Sequence, residues 1–461
     1  MRVLLCGPHF PAITQLLSQR LRPEAGDELR VWASGDLAGQ LEGVDALIPA
    51  MHRVDGAVMD AGRFRLIQQW GSGLEGVDVA VVKVEGVGLG MAPATGRTAR
   101  ALFPPSVRDV LRPITTTGPP GHASPDLARN VADTAVHAVR TAIVQAGVSV
   151  RDVFVGGFLQ PTRRAELSVP WPEIVDRIAE QTGLTVLHEF LGRDQAAGGS
   201  GRPITAAAEF SLFRHATEDR LLIHLGAATS VLLIRAGDRV STVLGFEPGP
   251  GNQLLDSLVY HGTRGREMTD PGGKKAVQGC CLEPLLARWL EHPHLTRRPP
   301  KSVHADAFGR GFLLAAFDVA RQLGAGLPDL LCTATHLIAR SVGKSCREWL
   351  PAAITTRNVF LTGGGVRNGF LWQLVSQEFV GLTLARSDDT GVPALARNAA
   401  AAGVLAALTC DGVAGNLPVL TGAAGGRLIG HIVPGDARNW ARCAAWIADQ
   451  TGDYPRVNRA A

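Results

Sequence analysis

Lysine is scarce in this chain: Lys83, Lys274, Lys275, Lys301 and Lys344 stand against a Lys+Arg total of 46. A GC-rich genome explains that skew better than a binding task does. The formal net charge is only +4, and the basic residues are dispersed apart from pairs such as Arg163-Arg164 and Arg297-Arg298. No polyanion-binding patch results, so nucleic acid is not an expected partner. Apolar runs near the roughly 20 residues that cross a bilayer are absent. The opening MRVLLCGPHF is interrupted by Gly7, Pro8 and His9 before it forms a signal-peptide core. Neither a membrane partner nor export is expected. The seven cysteines (Cys6, Cys280, Cys281, Cys332, Cys346, Cys410, Cys443) are odd in number, scattered and without CxxC spacing. That excludes a disulfide framework and a cysteine-based metal or redox motif, and makes a reducing cytoplasm the expected location.

What is present is globular composition, with 46% hydrophobic and 19% charged residues over 461 positions. At roughly 150 residues per domain this allows two or three structural units. The chain opens with an apolar strand, Arg2 to Cys6, an apolar-periodic stretch from Ala12 to Leu21, and a second strand from Leu29 to Ala33. Short apolar segments follow at Asp45–Pro49, Val54–Met59 and Phe64–Trp70, as buried parallel strands require. The stretch TTTGPPGHASP near residues 115–125 reads as a boundary, after which a helix runs to Ala146. Beyond Asp152, strands at Val153–Gly156, Thr185–His188, Leu221–Leu225 and Ser230–Ile234 alternate with helices. A long helical region follows, from about Lys275 to Leu350.

Within the first hundred residues, VDALIP, RVDGAVMDAG, RLIQQWGSGLEGVDVA and APATG resemble the N-terminal part of D-2-hydroxyacid dehydrogenases of the phosphoglycerate dehydrogenase type. Such enzymes continue into a nicotinamide-binding domain with GxGxxG. No such motif follows here in strand-turn-helix context, so the resemblance implies a borrowed or truncated module.

The segments that carry chemistry come later. Glu189 to Gly201 (EFLGRDQAAGGSG) sets a carboxylate, Asp194, at the end of a strand in a glycine-rich loop that lets backbone pass close to a ligand. A helix-capping aspartate is the plainer reading of the same residue. His224 to Ser230 (HLGAATS) is a strand-turn whose amides can meet phosphate. Phe246 to Asn252 (FEPGPGN) is followed one helical turn on by Asp256. Pro293-His294 and Pro299 to Ser302 (PPKS) come next, where Lys301 reads either as a phosphate-reaching cation or as a solvated lysine. Phe360 to Asn368 (FLTGGGVRN) runs an apolar strand into three glycines. Last come LPVLTGA from Leu417 and LIGHIVPG from Leu428.

In this order the segments resemble the anhydro-N-acetylmuramic acid kinase family, whose landmarks read DFRxxDIAAGGQGAP, NIGGIAN, FDTGPGN, HPY, PPKSTGRE, NLPxxTGA and LGxxxPG. The resemblance implies an α/β fold: a two-lobed sugar kinase of the actin and hexokinase superfamily. Residues 1–66 would form a small α/β N-terminal segment, 67–245 the N-terminal lobe and 246–461 the C-terminal lobe. It implies ATP and Mg2+ as cofactors, a small-molecule anhydrosugar as substrate, and dimerisation. Asp194 takes the place of the general base that activates water while the released O6 attacks the γ-phosphate. Gly226, Gly249, Gly251, Asn252, Gly363, Gly364, Gly365 and Asn368 take ATP-binding places. Gln160, Arg193 and Asn398 take substrate-binding ones. The tail motifs are expected to be structural.

The family also begins with a phosphate hairpin, GLMSGTSLDGVD. Its counterpart here is Gln69 to Asp78, with Gly71, Ser72, Gly73, Leu74, Glu75, Gly76, Val77 and Asp78 in the ATP-binding places. Either strands Arg65–Trp70 and Val79–Glu85 build that hairpin, or the same letters continue the dehydrogenase-like segment. Other departures are Gly157 to Pro161 (GFLQP) in place of SHGQT, Asn398 in place of a glutamate, and Glu247 in place of the aspartate of FDTGPGN. Losing a buried hydrogen-bond partner costs about 1–3 kcal/mol. A catalytically silent relative that binds sugar or nucleotide is therefore the alternative to an active kinase.

Overall fold

The computed structural model describes residues 2–6, 23, 26–32, 37–48, 66–67, 81–88, 94–102, 127–160 and 170–450 apart from 305, 353 and 355. The chain divides into two compact units, Met1–Glu75 and Gly76–Ala461. In the first, β1 (Arg2–Cys6), β2 (Glu28–Trp32), β3 (Ala46–Ile48) and β4 (Leu66–Ile67) form a sheet in the order β2-β1-β3-β4. Every pairing in it is parallel. Leu4, Trp32, Leu37, Leu41 and Val44 make its core. The strands expected at Arg2–Cys6 and Leu29–Ala33 are present to within a residue. The stretches Ala12–Leu21 and Val54–Met59 lie outside the described residues.

The second unit begins with an antiparallel hairpin, β5 (Val81–Gly88) and β6 (Ala94–Leu102), with a register shift between Glu85 and Val87. Of the two readings left open for this stretch, a pairing of Arg65–Trp70 with Val79–Glu85 is not among the pairings of the described residues. Leu66–Ile67 is engaged by Ala46–Leu47 of the first sheet, and the neighbour of Val81–Gly88 is the next strand along the chain. A short closing loop makes that pairing entropically cheap.

Helix α1 (Leu127–Ala146) lies on both hairpin strands. It packs on α2 (Trp171–Thr182) through Val131, Ala135, Trp171, Ile174 and Ile178. Between them runs the two-residue strand β7 (Gly156–Gly157), shorter and later than the expected Val153–Gly156. A 3-10 turn, Val150–Asp152, closed by the Ser149 capping box, takes up the preceding residues. β7 is parallel to β8 (Val186–His188), which is antiparallel to β14 (His431–Val433). After β8 come α3 (Gly192–Ala196) and α4 (Ala206–Phe213).

The main sheet contains β9 (Arg220–Leu225), β10 (Thr229–Ile234), β11 (Leu244–Phe246), β12 (Asn358–Thr362) and β13 (Thr383–Arg386), in the order β11-β10-β9-β12-β13. The first three are antiparallel and β9, β12 and β13 are parallel. The expected lobe boundary at 245/246 falls inside β11 of this sheet. Helices α5 (Asn252–Gly262), α6 (Glu283–Leu290), α7 (Pro293–Thr296), α8 (Arg310–Gln322) and α9 (Leu327–Trp349) resolve the long helical region. The chain ends with α10 (Gly369–Glu378), α11 (Arg397–Cys410), α12 (Pro418–Thr421) and α13 (Ala437–Gln450).

Both faces of the main sheet are covered, which is why its strands read as continuous apolar runs rather than as alternation. Leu221, Ile223, Leu225, Val359 and Leu361 enter one core with α5, α6, α8, α9 and α10. Leu222, Leu232 and Phe360 enter another with α4 and α11. Among the described residues no helix is long and apolar enough to cross a membrane.

Candidate active site

The parallel neighbours β9 and β12 end side by side, and the turns that leave them converge on the backbone of Leu225. Asn252 donates its amide N–H to the Gly226 carbonyl at 2.8 Å and its side-chain Nδ2 to the Leu225 carbonyl at 3.0 Å. A Cβ on Gly251 would run into the Gly226 carbonyl. Gly363 has φ +85, and a Cβ there would lie 2.7 Å from the Leu225 oxygen. One on Gly365 would lie 2.5 Å from Leu225 Cβ. Gly226, Gly251, Asn252, Gly363 and Gly365 are thus brought together, and Gly364 is buried between the last two. His224 lies over this place, with Nδ1 2.9 Å from Thr362 Oγ1 and its ring against both Gly226 and Gly363. Ligands of open α/β sheets bind at the carboxyl ends of strands where the order changes direction, as it does here.

Two other candidates serve the fold directly. Gly249 is where Leu295 Cδ2 and Ser341 Oγ pack, at 2.8 and 3.0 Å from a built Cβ. Asn368 caps α10 by accepting the Leu371 N–H at 2.9 Å. The residues from Gly71 to Asp78 lie outside the described residues.

Asp194, on the short α3, has 0% of its surface exposed. Its Oδ1 accepts from Asn416 Nδ2 at 2.6 Å and from Thr421 Oγ1 at 2.7 Å, while Oδ2 accepts from the Gly201 N–H at 2.8 Å. A carboxylate offers about four lone-pair sites, so one on Oδ2 remains. It faces Gly199, where any Cβ would collide with that oxygen. Asn416 and Thr421 belong to the tail motif expected to be structural. They are partners of Asp194 that the sequence did not reveal, and their one signal was polar character inside an otherwise apolar segment. Arg193 is exposed. Gln160 follows β7, with its Oε1 buried and unpartnered among the described residues. Asn398 is exposed and accepts from Arg397 Nη1 at 2.6 Å.

A buried charge network adjoins the Asp194 loop. Arg397, 5% exposed, pairs with Glu209 between α11 and α4, and Thr205 Oγ1 donates to Glu209 at 2.6 Å. Glu247, 7% exposed, accepts the Val303 N–H at 2.6 Å. Burial raises the pKa of Glu247, against the opposing pull of Arg202, the Val303 bond and Arg397. His294 Nε2 lies 2.9 Å from the Glu247 carbonyl oxygen. Lys301 is not solvated: it is 3% exposed, and its Nζ donates to the Leu295 carbonyl at 3.3 Å at the end of α7. Burial pulls its pKa from 10.5 down to about 8. Asp256, on α5, is pushed well above the usual carboxylate range by burial and then by Asp270.

A mixed sheet of this order, glycine turns at the carboxyl ends of its central parallel pair, and a buried aspartate in a glycine loop define an α/β protein with a ligand site at its strand ends. A family model, "Anhydro-N-acetylmuramic acid kinase", matches residues 69–435. The chain belongs to the anhydro-N-acetylmuramic acid kinase family. It is similar to the anhydro-N-acetylmuramic acid kinase of Synechococcus elongatus, 32% identical over 375 residues, 78% of this chain and 97% of that one. The enzyme of that name from Gloeobacter violaceus is 37% identical over 262 residues, 56% of this chain and 66% of its own length. Among solved structures, a ROK hexokinase from Thermus thermophilus overlaps 69% of this chain and 97% of its own with TM-score 0.30 and 15% identity.

Proposed function

We propose that this chain is an ATP- and Mg2+-dependent kinase of 1,6-anhydro-N-acetylmuramic acid, opening the anhydro bridge with water and leaving phosphate on O6. Family membership over residues 69–435 is the observation that carries this reading. Asp194 acts as the base. Three donors hold its carboxylate in one orientation, and the absent side chain at Gly199 leaves the fourth lone-pair direction open. With no exposed surface in this conformation, Oδ2 meets water once the Gly198–Gly201 loop shifts, a motion of the kind that commits substrate in many kinases.

The residues fit a nucleotide. Gly226, Gly251, Gly363 and Gly365 leave backbone bare at the strand ends, and bare amides there suit phosphate and adenosine. Bound ATP supplies the phosphoryl group. Mg2+ would be held largely through the nucleotide's own phosphates, as is usual for this ion. Gln160, Arg193 and Asn398 remain the proposed sugar contacts.

Residues 1–66 we read as a dehydrogenase-derived module without its cofactor domain. Its parallel order β2-β1-β3-β4 supports this, being the start of a common doubly wound arrangement. The expected assembly is a homodimer, which light scattering tests. The test of function is ADP release when the anhydrosugar is added to the intact chain with Mg-ATP. No turnover, beside a typical family member that does turn over, sinks the reading. Saturable thermal stabilisation by Mg-ATP without turnover would leave the silent relative in its place.

A further inference from the structure

The loop that begins with Asp194 ends at Arg202, where the chain departs from the family landmark. In the family landmark DFRxxDIAAGGQGAP an arginine stands where this sequence has Leu191, and an alanine where it has Arg202. The two positions adjoin in space: a Cβ on Gly201 would lie 3.2 Å from Leu191 Cδ2. Relative to the landmark, this loop has leucine in place of one arginine and carries an arginine at 202 instead.

The backbone of Arg202 is held from two directions. Its carbonyl accepts from Ser200 Oγ at 2.9 Å and from Ser302 Oγ at 3.2 Å, and its N–H donates to Ser200 Oγ at 3.3 Å. Those are the hydrogen bonds of this half-buried residue among the described residues, and all are made by its backbone. Val303, next to Ser302, occupies Glu247 Oε2 at 2.6 Å, so one strap fixes both the Arg202 backbone and the Glu247 carboxylate. Of the two cations that act on Glu247, Arg397 is committed to Glu209. Arg202 keeps its five N–H donors, in a geometry suited to a carboxylate.

We propose that Arg202 selects an acidic anhydrosugar, gripping the carboxylate of a lactyl substituent through two parallel hydrogen bonds while Asp194, at the start of the same loop, faces the anhydro bridge. This rests on the function proposed above. A plain surface pairing of Arg202 with Glu247 is the competing account, and the two differ in what they do to substrate choice.

The experiment measures Kd by calorimetry and kcat/KM for 1,6-anhydro-N-acetylmuramic acid and for 1,6-anhydro-N-acetylglucosamine, which lacks the lactyl acid. The proteins are the intact chain, Arg202→Ala, Arg202→Lys and Glu247→Gln. Arg202→Ala weakens the acidic sugar about 10- to 100-fold, the loss expected for a hydrogen-bonded ionic contact, and the neutral sugar several-fold less. Arg202→Lys recovers part of the preference, and Glu247→Gln retains it. An unchanged preference in Arg202→Ala, or equal loss of both sugars in a protein that melts like the parent, overturns the assignment. So does failure of both Arg202 variants to fold, which would make the residue structural. A parent chain that binds both sugars equally sinks Arg202 selection alone, whereas one that binds neither sinks the proposed function itself.

Discussion

The side-chain amide of Asn416 donates to Oδ1 of Asp194 at 2.6 Å across 222 residues of sequence. With Thr421 Oγ1 on the same oxygen, the C-terminal tail grips the aspartate that the glycine loop presents. Asn416 is itself held, its Oδ1 accepting the Arg427 N–H at 2.6 Å. The tail therefore positions the proposed base as well as closing the fold.

Replacing Asn416 by Ala or Thr421 by Val removes one donor each from a buried carboxylate, a loss of about 1.5–3 kcal/mol for a bond to a charged group. Denaturant titration should show that loss. Because the donors orient the base rather than touch the sugar, kcat should fall at least tenfold while KM moves only a few-fold. Wild-type kcat in both variants would refute the positioning role.

The Arg397–Glu209 pair calls for a double-mutant cycle. Arg397→Met or Glu209→Gln alone strands a buried charge and should cost about 3–5 kcal/mol. The double variant should recover most of that, giving a clear coupling energy in urea unfolding. Additive losses would mean that the two side chains act independently.

Lys301 makes stability depend on alkaline pH. Its folded pKa of about 8 lies below the ordinary 10.5, so between those values the unfolded chain binds more protons than the folded one. Stability contributed at this site therefore rises with pH across that window and is flat below it. Melting temperatures from pH 7.5 to 10.5 should climb for the parent relative to Lys301→Met. Parallel curves would show that the ammonium is not penalised by burial.

Two glycines separate contact from conformation. Gly251→Ala forces a Cβ against the Gly226 carbonyl and within 2.9 Å of the Ala227 oxygen, an overpacking expected to cost about 1–3 kcal/mol and to weaken stabilisation by Mg-ATP. Gly369 has nothing within 4 Å of a built Cβ and opens α10. Gly369→Ala should gain up to about 1 kcal/mol. Thermal melts with and without Mg-ATP check both.

The sequence by itself determined the family, the strands β9, β10 and β12, and the loops around Asp194, Asn252 and Gly363. These are local: a strand that runs apolar into glycine is written in adjacent letters, and a turn needs only its own residues. Strand partnership was not written there. Leu66–Ile67 pairs with β3 and β5 with 94–102, pairings between segments that no run of adjacent letters specifies. The burial of Lys301 was equally invisible, because the carbonyl ends of α7 that hold its ammonium exist only after folding. Nor did the sequence show that Asn416 and Thr421 reach Asp194. Hydrogen bonds between distant side chains have no local pattern, and only the packing of the tail against the glycine loop decided them.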